Sequence, residues 1–144
     1  MTRKLKFTLP LALILAAGFA LAAAARPQSG PEQLAQTSAE AWLALTDAGK
    51  YAESWQQAAA LFKAAVTQEQ WVNALNNVRT PLGKVISRKF KSATYTTSLP
   101  GGPSGEYVVI QFNTTFANRK DAVETITPTL DKDGQWRVSG YFIK

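Results

Sequence analysis

The spacing of apolar positions predicts three helices in the first half of the chain, starting after residue 30. One apolar face of the first helix would consist of Leu34, Ser38, Ala41, Trp42 and Leu45, which recur three and four residues apart. Pro31 suits the first helical position, and Gly49 suits the residue just after the last turn. The first predicted helix therefore spans roughly residues 31 to 48.

Two further helices are predicted between Tyr51 and Thr80. Apolar residues at helical spacing predict the second one, from about Tyr51 to Val66. The third helix has the clearest local pattern, because Thr67 and Gln70 match a capping box. Its expected buried face consists of Trp71, Val72, Leu75 and Val78. Since the residue before a proline avoids the helical region, Pro81 predicts that this helix ends at Thr80.

After Pro81 the apolar positions alternate with a period of two, which indicates β-strands. The predicted strands are Gly83–Leu99, Glu106–Phe116, Asp121–Leu130 and Gln135–Ile143. The connections between them are the loop Pro100–Gly105, the polar turn Ala117–Lys120 and the hairpin turn Asp131–Gly134.

Two alignments are open for the last strand. Strict alternation places Trp136, Val138, Gly140 and Phe142 on one face, whereas a β-bulge at Ser139–Gly140 aligns Trp136, Val138, Tyr141 and Ile143. We favour the bulge, because a glycine inside a strand often marks one.

Helices followed by strands with hairpin-length connections predict an α+β fold. In this fold three N-terminal helices pack on one curved, four-stranded antiparallel sheet. Residues 31–144 form a single domain in this interpretation, and residues 26–30 form a short polar linker before it.

The first 25 residues match a secretory signal peptide. Arg3, Lys4 and Lys6 are followed by an apolar stretch and then by the small-residue run 22–25. We therefore expect cleavage near Ala25 and a location in the periplasm or outside the cell. The alternative is an uncleaved membrane anchor, which Pro10 and Gly18 disfavour; no later stretch is apolar enough to span a bilayer.

Composition removes several classes of mechanism. The chain contains no histidine and no cysteine, so it lacks Ser-His-Asp and Cys-His catalysis, thiolate chemistry and the usual zinc ligands. We predict no catalytic residue, no cofactor and no metal. The net charge is +6 for the whole chain, but without residues 1–25 it is +3, with 13 basic residues against 10 acidic ones. This balance is too small for a nucleic-acid-binding protein.

Several short motifs resemble a known family. They are Ala41-Trp42-Leu43, Asp47-Ala48-Gly49-Lys50-Tyr51, Ser54-Trp55, Arg79-Thr80-Pro81-Leu82-Gly83, Ser98-Leu99-Pro100-Gly101, Gly105-Glu106-Tyr107 and the run Gly134–Tyr141. The chain with these motifs resembles a bacterial exported family, domain of unknown function 4019. Its order of elements is similar to the cystatin-like folds, above all the cone of the nuclear-transport-factor-two-like proteins. The resemblance implies a fold and a compartment and no activity.

Arg88 and Glu124 are the first candidate site residues. Alternation places each of them among apolar residues of its strand. If both faces point inward, Arg88 could hold an anionic group that Glu124 helps to orient. The alternative, which we favour, is a structural ion pair or a strand whose other face is buried.

Three further residues are candidates for contact with a ligand or partner. Arg79 either caps the end of the third helix, which we favour, or faces a ligand at the cone mouth. Trp55 and Tyr141 either belong to the core or line an aromatic pocket.

The basic stretch Lys84, Arg88, Lys89 and Lys91 has two interpretations. Its residues either protect an edge strand against unwanted pairing, which we favour, or contact anionic lipid headgroups or cell-wall polymers.

Three functions are compatible with these observations. The first is an exported, non-catalytic domain that binds a small ligand or an envelope partner. The second is an isomerase or dehydratase that uses Glu124 or a tyrosine as acid and base, which the lack of histidine disfavours. The third is a structural homodimer through the sheet face.

Overall fold

The computed structural model describes residues 29–144, so the predicted signal peptide and residues 26–28 of the linker lie outside the described residues. The helices are α1 (Pro31–Asp47), α2 (Tyr51–Gln56), α3 (Ala60–Ala65) and α4 (Gln68–Leu82). The strands are β1 (Val85–Thr96), β2 (Tyr107–Phe116), β3 (Arg119–Leu130) and β4 (Trp136–Ile143). No helix in the described part of the chain is both long and apolar enough to cross a bilayer.

The prediction of one continuous second helix is wrong, because this segment forms two short helices, α2 and α3. The helical bonding stops at Ala58 and Ala59, which are completely buried. There the backbone N–H of Ala59 donates to the carbonyl of Val138 in β4, over 2.8 Å. A tertiary hydrogen bond thus replaces a helical one, and the small alanine side chains let the two backbones approach.

The capping box at the start of α4 is confirmed. The backbone N–H of Gln70 donates to Oγ1 of Thr67 over 3.2 Å, and the backbone N–H of Thr67 donates to Oε1 of Gln70 over 3.0 Å. Trp71 and Leu75 are buried as expected, but Val78 is 47 % exposed. Arg79 takes the next inward position of the helix.

The predicted end of this helix was wrong, because α4 continues through Pro81 to Leu82. The turn between β2 and β3 stabilises the extra residues. Asn118 donates its side-chain amide to the carbonyl of Pro81 over 3.0 Å and its backbone N–H to the carbonyl of Leu82 over 3.0 Å. The chain then leaves the helix at Gly83, whose φ of 74° favours glycine.

The four strands form one antiparallel sheet in the order β1-β2-β3-β4, which confirms the α+β fold and its antiparallel sheet. β1 starts two residues later than predicted and stops before the predicted end at Leu99. The predicted turn Ala117–Lys120 is shorter than expected, because Arg119 already pairs with Phe116. β1 and β4 are the edge strands.

The bulge in β4 is confirmed. Thr127 pairs with Gly140 and Pro128 pairs with Val138, so Ser139 is the extra residue. Val138 is buried, whereas Phe142 is 56 % exposed on the other face.

Helix α1 lies across the inner face of the sheet, which is the face whose side chains form the core with the helices. Trp42 of α1 lies at the centre of an aromatic group in the core. Its ring centroid is 5.8 Å from that of Trp71 and 5.4 Å from that of Tyr141. Phe62 packs edge-on against Trp71 at 4.9 Å. The other face, which we call the open face, carries mainly hydroxyl, amide and lysine side chains. Examples are Ser87, Lys89, Gln111, Asn113, Thr125 and Thr127.

Candidate functional site

Arg88 and Glu124 lie on the inner face and form an ion pair. Arg88 in β1 pairs with Thr114 in β2, and Glu124 in β3 pairs with Phe112, so the two charged residues are diagonal neighbours across β2. The Nε of Arg88 donates to Oε1 of Glu124 over 2.7 Å, and Nη2 donates to Oε2 over 3.2 Å. This geometry matches the structural ion pair that we favoured from the sequence.

Glu124 is completely buried, and each of its two carboxylate oxygens accepts two hydrogen bonds. Besides the arginine, Oε1 accepts from the hydroxyl of Thr114 over 2.5 Å. Oε2 also accepts a very short hydrogen bond from the hydroxyl of Tyr141 in β4. Donors from three strands therefore hold this one carboxylate.

Asp47, the last residue of α1, connects this pair to the helices. Arg88 donates to both of its oxygens, Nη1 to Oδ2 over 2.7 Å and Nη2 to Oδ1 over 3.0 Å. Arg79 of α4 donates Nη2 to Oδ1 of Asp47 over 2.7 Å and Nη1 to Oγ1 of Thr46 over 3.1 Å. We call these residues, Thr46, Asp47, Arg79, Arg88, Thr114, Glu124 and Tyr141, the polar network.

Arg79 is more enclosed than a helix cap would be. Its side chain is only 5 % exposed, and its guanidinium lies 5.2 Å from the ring centroid of Phe116. Nε of Arg79 is buried without a hydrogen-bond partner. The residue joins two helices and the sheet, so the capping interpretation of its role was too narrow.

The polar network balances two positive charges against two negative ones, and the pKa values reflect this. Burial raises the pKa of Asp47, but hydrogen bonds from Arg88 and Arg79 outweigh it and bring that pKa below its usual value. Burial, together with the charge and hydrogen bond of Glu124, raises the pKa of Tyr141 well above its usual value. At neutral pH Asp47 is therefore ionised and Tyr141 is protonated.

A shallow groove of about 340 Å³ adjoins the polar network between the end of α1 and the end of α4. Tyr51, Asp47, Arg79 and Lys84 are among its lining residues. Arg79 already donates its hydrogen bonds to Asp47 and Thr46. The groove therefore exposes only the partly accessible edge of the polar network.

Trp55, near the end of α2, is partly buried. Its indole N–H donates to the carbonyl of Val66 over 2.7 Å, and its ring packs against the core. Ser54 accepts the indole N–H groups of Trp42 and Trp71, at 2.8 and 3.0 Å. Three tryptophans thus use their N–H groups to connect helices, as is usual for buried indoles.

A second ion cluster lies at the hairpin between β3 and β4. Arg137 donates to Asp131 over 3.0 Å and to both oxygens of Asp133 over 2.9 and 2.8 Å. The hydrogen bond from Arg137 is the main reason that the pKa of Asp133 is lowered to about 2. This cluster borders a groove of about 580 Å³ that Leu61 and Tyr107 also line.

Sequence reasoning missed Asp47 and Thr114 as members of the polar network. Thr114 gives no recognisable pattern, because a threonine in a strand is common. Asp47 does give one: an acidic residue in the last turn of a helix faces the negative end of the helix dipole. Such a residue points to a positively charged partner from elsewhere in the fold.

Comparison with known families decides the assignment. A family model described as a protein of unknown function (DUF4019) matches residues 38–141. The chain belongs to the DUF4019 family. The matched residues include the whole polar network and all of β1 to β3. No curated protein matches this DUF4019 member.

Proposed function

We propose that this DUF4019 protein is an exported, non-catalytic domain that binds a component of the cell envelope through its surface. Export rests on the charged start, apolar middle and alanine run of residues 1–25. The element order and the bulged sheet also support the cystatin-like cone that the resemblance implies. The family's bacterial origin belongs to the same proposal.

The saturation of Glu124 is the observation that carries the non-catalytic part. A general acid or base must reach a proton of its substrate within hydrogen-bond distance. Both oxygens of Glu124 already accept two hydrogen bonds each, and Tyr141 is bound to one of them. An isomerase or dehydratase mechanism on these two residues would first have to break the contacts that join β3 to the three other strands.

The filled interior supports binding at the surface. In the space between α1, α4 and β4, the ring of Trp42 packs against the rings of both Trp71 and Tyr141. The grooves of about 340 and 580 Å³ lie at the borders of helices and loops, and the carboxylates and guanidinium groups that line them are already paired with one another. We therefore expect a partner to bind to the exposed surface of the domain and not inside the fold.

The homodimer has weaker support. An apolar sheet face would favour it, but the open face carries mainly polar side chains, with Phe142 as an exposed exception.

Two measurements on the protein purified from its own compartment test the proposal. Native mass spectrometry should give a monomer without a retained small molecule. Sedimentation with isolated envelope fractions should bring the protein down, and Tyr141→Phe should bind as the wild type does, because its hydroxyl points into the fold. A retained ligand, a stable dimer or a protein that stays in the supernatant would each contradict the proposal.

A further inference from the structure

Charge is distributed unevenly over the described residues. Ion pairs occupy Asp47, Glu53, Glu124, Asp131 and Asp133 among the acidic residues. Of the other acidic residues, Glu32 and Glu40 lie on α1 and Glu69 lies on α4. On the helix side of the molecule, the unpaired charges are thus mainly negative.

Unpaired positive charges cluster near the start of β1 and at the turn between β2 and β3. The basic residues there are Lys84, Lys89, Arg119 and Lys120, which we call the basic end. All four are exposed, and none of them takes part in an ion pair within residues 29–144. Asp121 is the exposed acidic residue beside them.

The strand register brings these four residues together. The carbonyl of Lys84 accepts the backbone N–H of Ala117 over 2.8 Å, which places Lys84 beside the β2–β3 turn. Arg119 follows this turn and pairs with Phe116. Lys89 and Lys120 line the same groove of about 300 Å³ on the open face.

An apolar side chain lies within this basic end. Ile86 is 67 % exposed, more than any other large hydrophobic residue of the described chain. The register shift between Val85 and Ser87 places it in a bulge, two residues after Lys84 and three before Lys89. A single exposed isoleucine gains little from contact with a hydrated polymer, whereas the interface of a bilayer offers it an apolar environment beside the headgroups.

From these observations, and resting on the proposed envelope function, we propose that the basic end binds the surface of an anionic lipid bilayer. Lys84, Lys89, Arg119 and Lys120 contact headgroup phosphates, and Ile86 enters the interfacial region. Basic side chains next to an anionic leaflet attract it, and the attraction is screened by salt. The acidic residues Glu32, Glu40 and Glu69 orient the domain so that the N-terminal parts of α1 and α4 point away from the lipid.

Vesicle sedimentation tests this proposal on the protein purified from its own compartment. The vesicles contain phosphatidylcholine alone or with about one third phosphatidylglycerol. Binding should require phosphatidylglycerol and should decrease at high salt. A double variant, Lys89→Gln with Lys120→Gln, should bind about 25-fold more weakly, because each basic residue contributes about fivefold at an anionic surface.

The matched control is Lys50→Gln with Lys132→Gln, which removes the same charge outside the basic end. It should change binding by less than about twofold. Ile86→Ser should weaken binding to anionic vesicles about tenfold while its charge stays the same. Far-ultraviolet circular dichroism and the urea midpoint of each variant verify that the fold is retained.

Several results would overturn the lipid proposal. They are equal binding to neutral vesicles, equal loss in the two double variants, or an Ile86→Ser variant that binds as the wild type does. Salt-sensitive binding to a soluble anionic polymer without binding to vesicles would point to a cell-wall polymer instead. If envelope fractions bind the protein and lipid vesicles do not, the lipid proposal fails and the proposed envelope function stands.

Discussion

Arg88 in β1 and Glu124 in β3 form a bidentate ion pair across the intervening strand, with Nε–Oε1 at 2.7 Å and Nη2–Oε2 at 3.2 Å. The side chain of Glu124 is completely buried, whereas the side chain of Arg88 is 16 % exposed. The pair therefore costs desolvation free energy, which the attraction between the two charges and their hydrogen bonds must offset. Its contribution is best seen when one partner loses its charge.

Glu124→Gln should lower the free energy of unfolding by about 3 kcal/mol, because it leaves Arg88 only partly compensated and inserts an amide beside two donors. The measurement is urea unfolding at neutral pH, followed by tryptophan fluorescence. Glu106→Gln is the control, since Glu106 is exposed and accepts a hydrogen bond from Tyr95. The control should cost about 0.5 kcal/mol, and equal losses in the two variants would contradict the prediction.

Asp47→Asn should remove part of the acid sensitivity of the fold. The pKa of Asp47 lies below its usual value in the folded state, so its contribution is present above the pKa of the unfolded chain, about 3.9. That contribution is lost as the pH falls through the folded-state pKa. The variant should be about 3 kcal/mol less stable at pH 7.

Urea midpoints measured between about pH 7 and pH 2 check this behaviour. The difference between wild type and Asp47→Asn should shrink as the solution becomes more acidic. A difference that stays constant over the whole range would show that Asp47 does not act through its charge.

Tyr141 should remain protonated in alkaline solution. Burial is the main reason that its pKa is raised, and the charge and hydrogen bond of Glu124 add to it. Titration of tyrosinate absorbance up to about pH 11 should therefore give the same amplitude for wild type and Tyr141→Phe. A smaller amplitude in the variant would show that Tyr141 ionises with the others.

The same shift predicts how stability depends on alkaline pH. A group whose folded-state pKa is raised contributes stability that is complete below its unfolded pKa, about 10, and decreases as the pH rises through the folded pKa. Wild-type stability should thus decrease above about pH 10 more steeply than that of Tyr141→Phe. Urea midpoints of the two proteins at increasing pH measure this difference.

Gly83→Ala should destabilise the fold more than Gly101→Ala. Both glycines have positive φ, 74° and 75°, so both substitutions strain the backbone, and Gly83 with its ψ of −162° lies in a region that essentially only glycine adopts. A Cβ at position 83 would also lie 3.0 Å from Cβ of Ala117, whereas at position 101 it meets nothing within 4 Å. The difference in unfolding free energy, which we expect to exceed about 1 kcal/mol, combines the steric contact with the greater backbone strain at position 83.

Local patterns made much of the fold predictable from the sequence. Thr67 and Gln70 are three residues apart and satisfy each other within one helical turn, so their capping box needed no knowledge of the tertiary structure. Gly140 marked the bulge in the same way. These features depend on neighbours in the chain, which a sequence displays directly.

Other features depend on distant partners and could not be predicted. The break between α2 and α3 exists because Ala59 bonds to Val138 in the last strand, and a local helical pattern contains no information about that strand. The extension of α4 past Pro81 needs Asn118 from the β2–β3 turn. Likewise, Arg88 and Glu124 were recognised singly, but Asp47 joins them only when α1 crosses the sheet.

The position of Asp47 has a consequence for how the chain reaches its native state. A carboxylate in the last turn opposes the helix dipole, so the C-terminal end of α1 is weakened as long as it is alone. Its neutralising partners come from α4 and β1, which are made later in the chain. We therefore expect α1 to be completed late, as part of one all-or-none transition with those two elements, and a peptide of residues 31–47 alone to fray at that end.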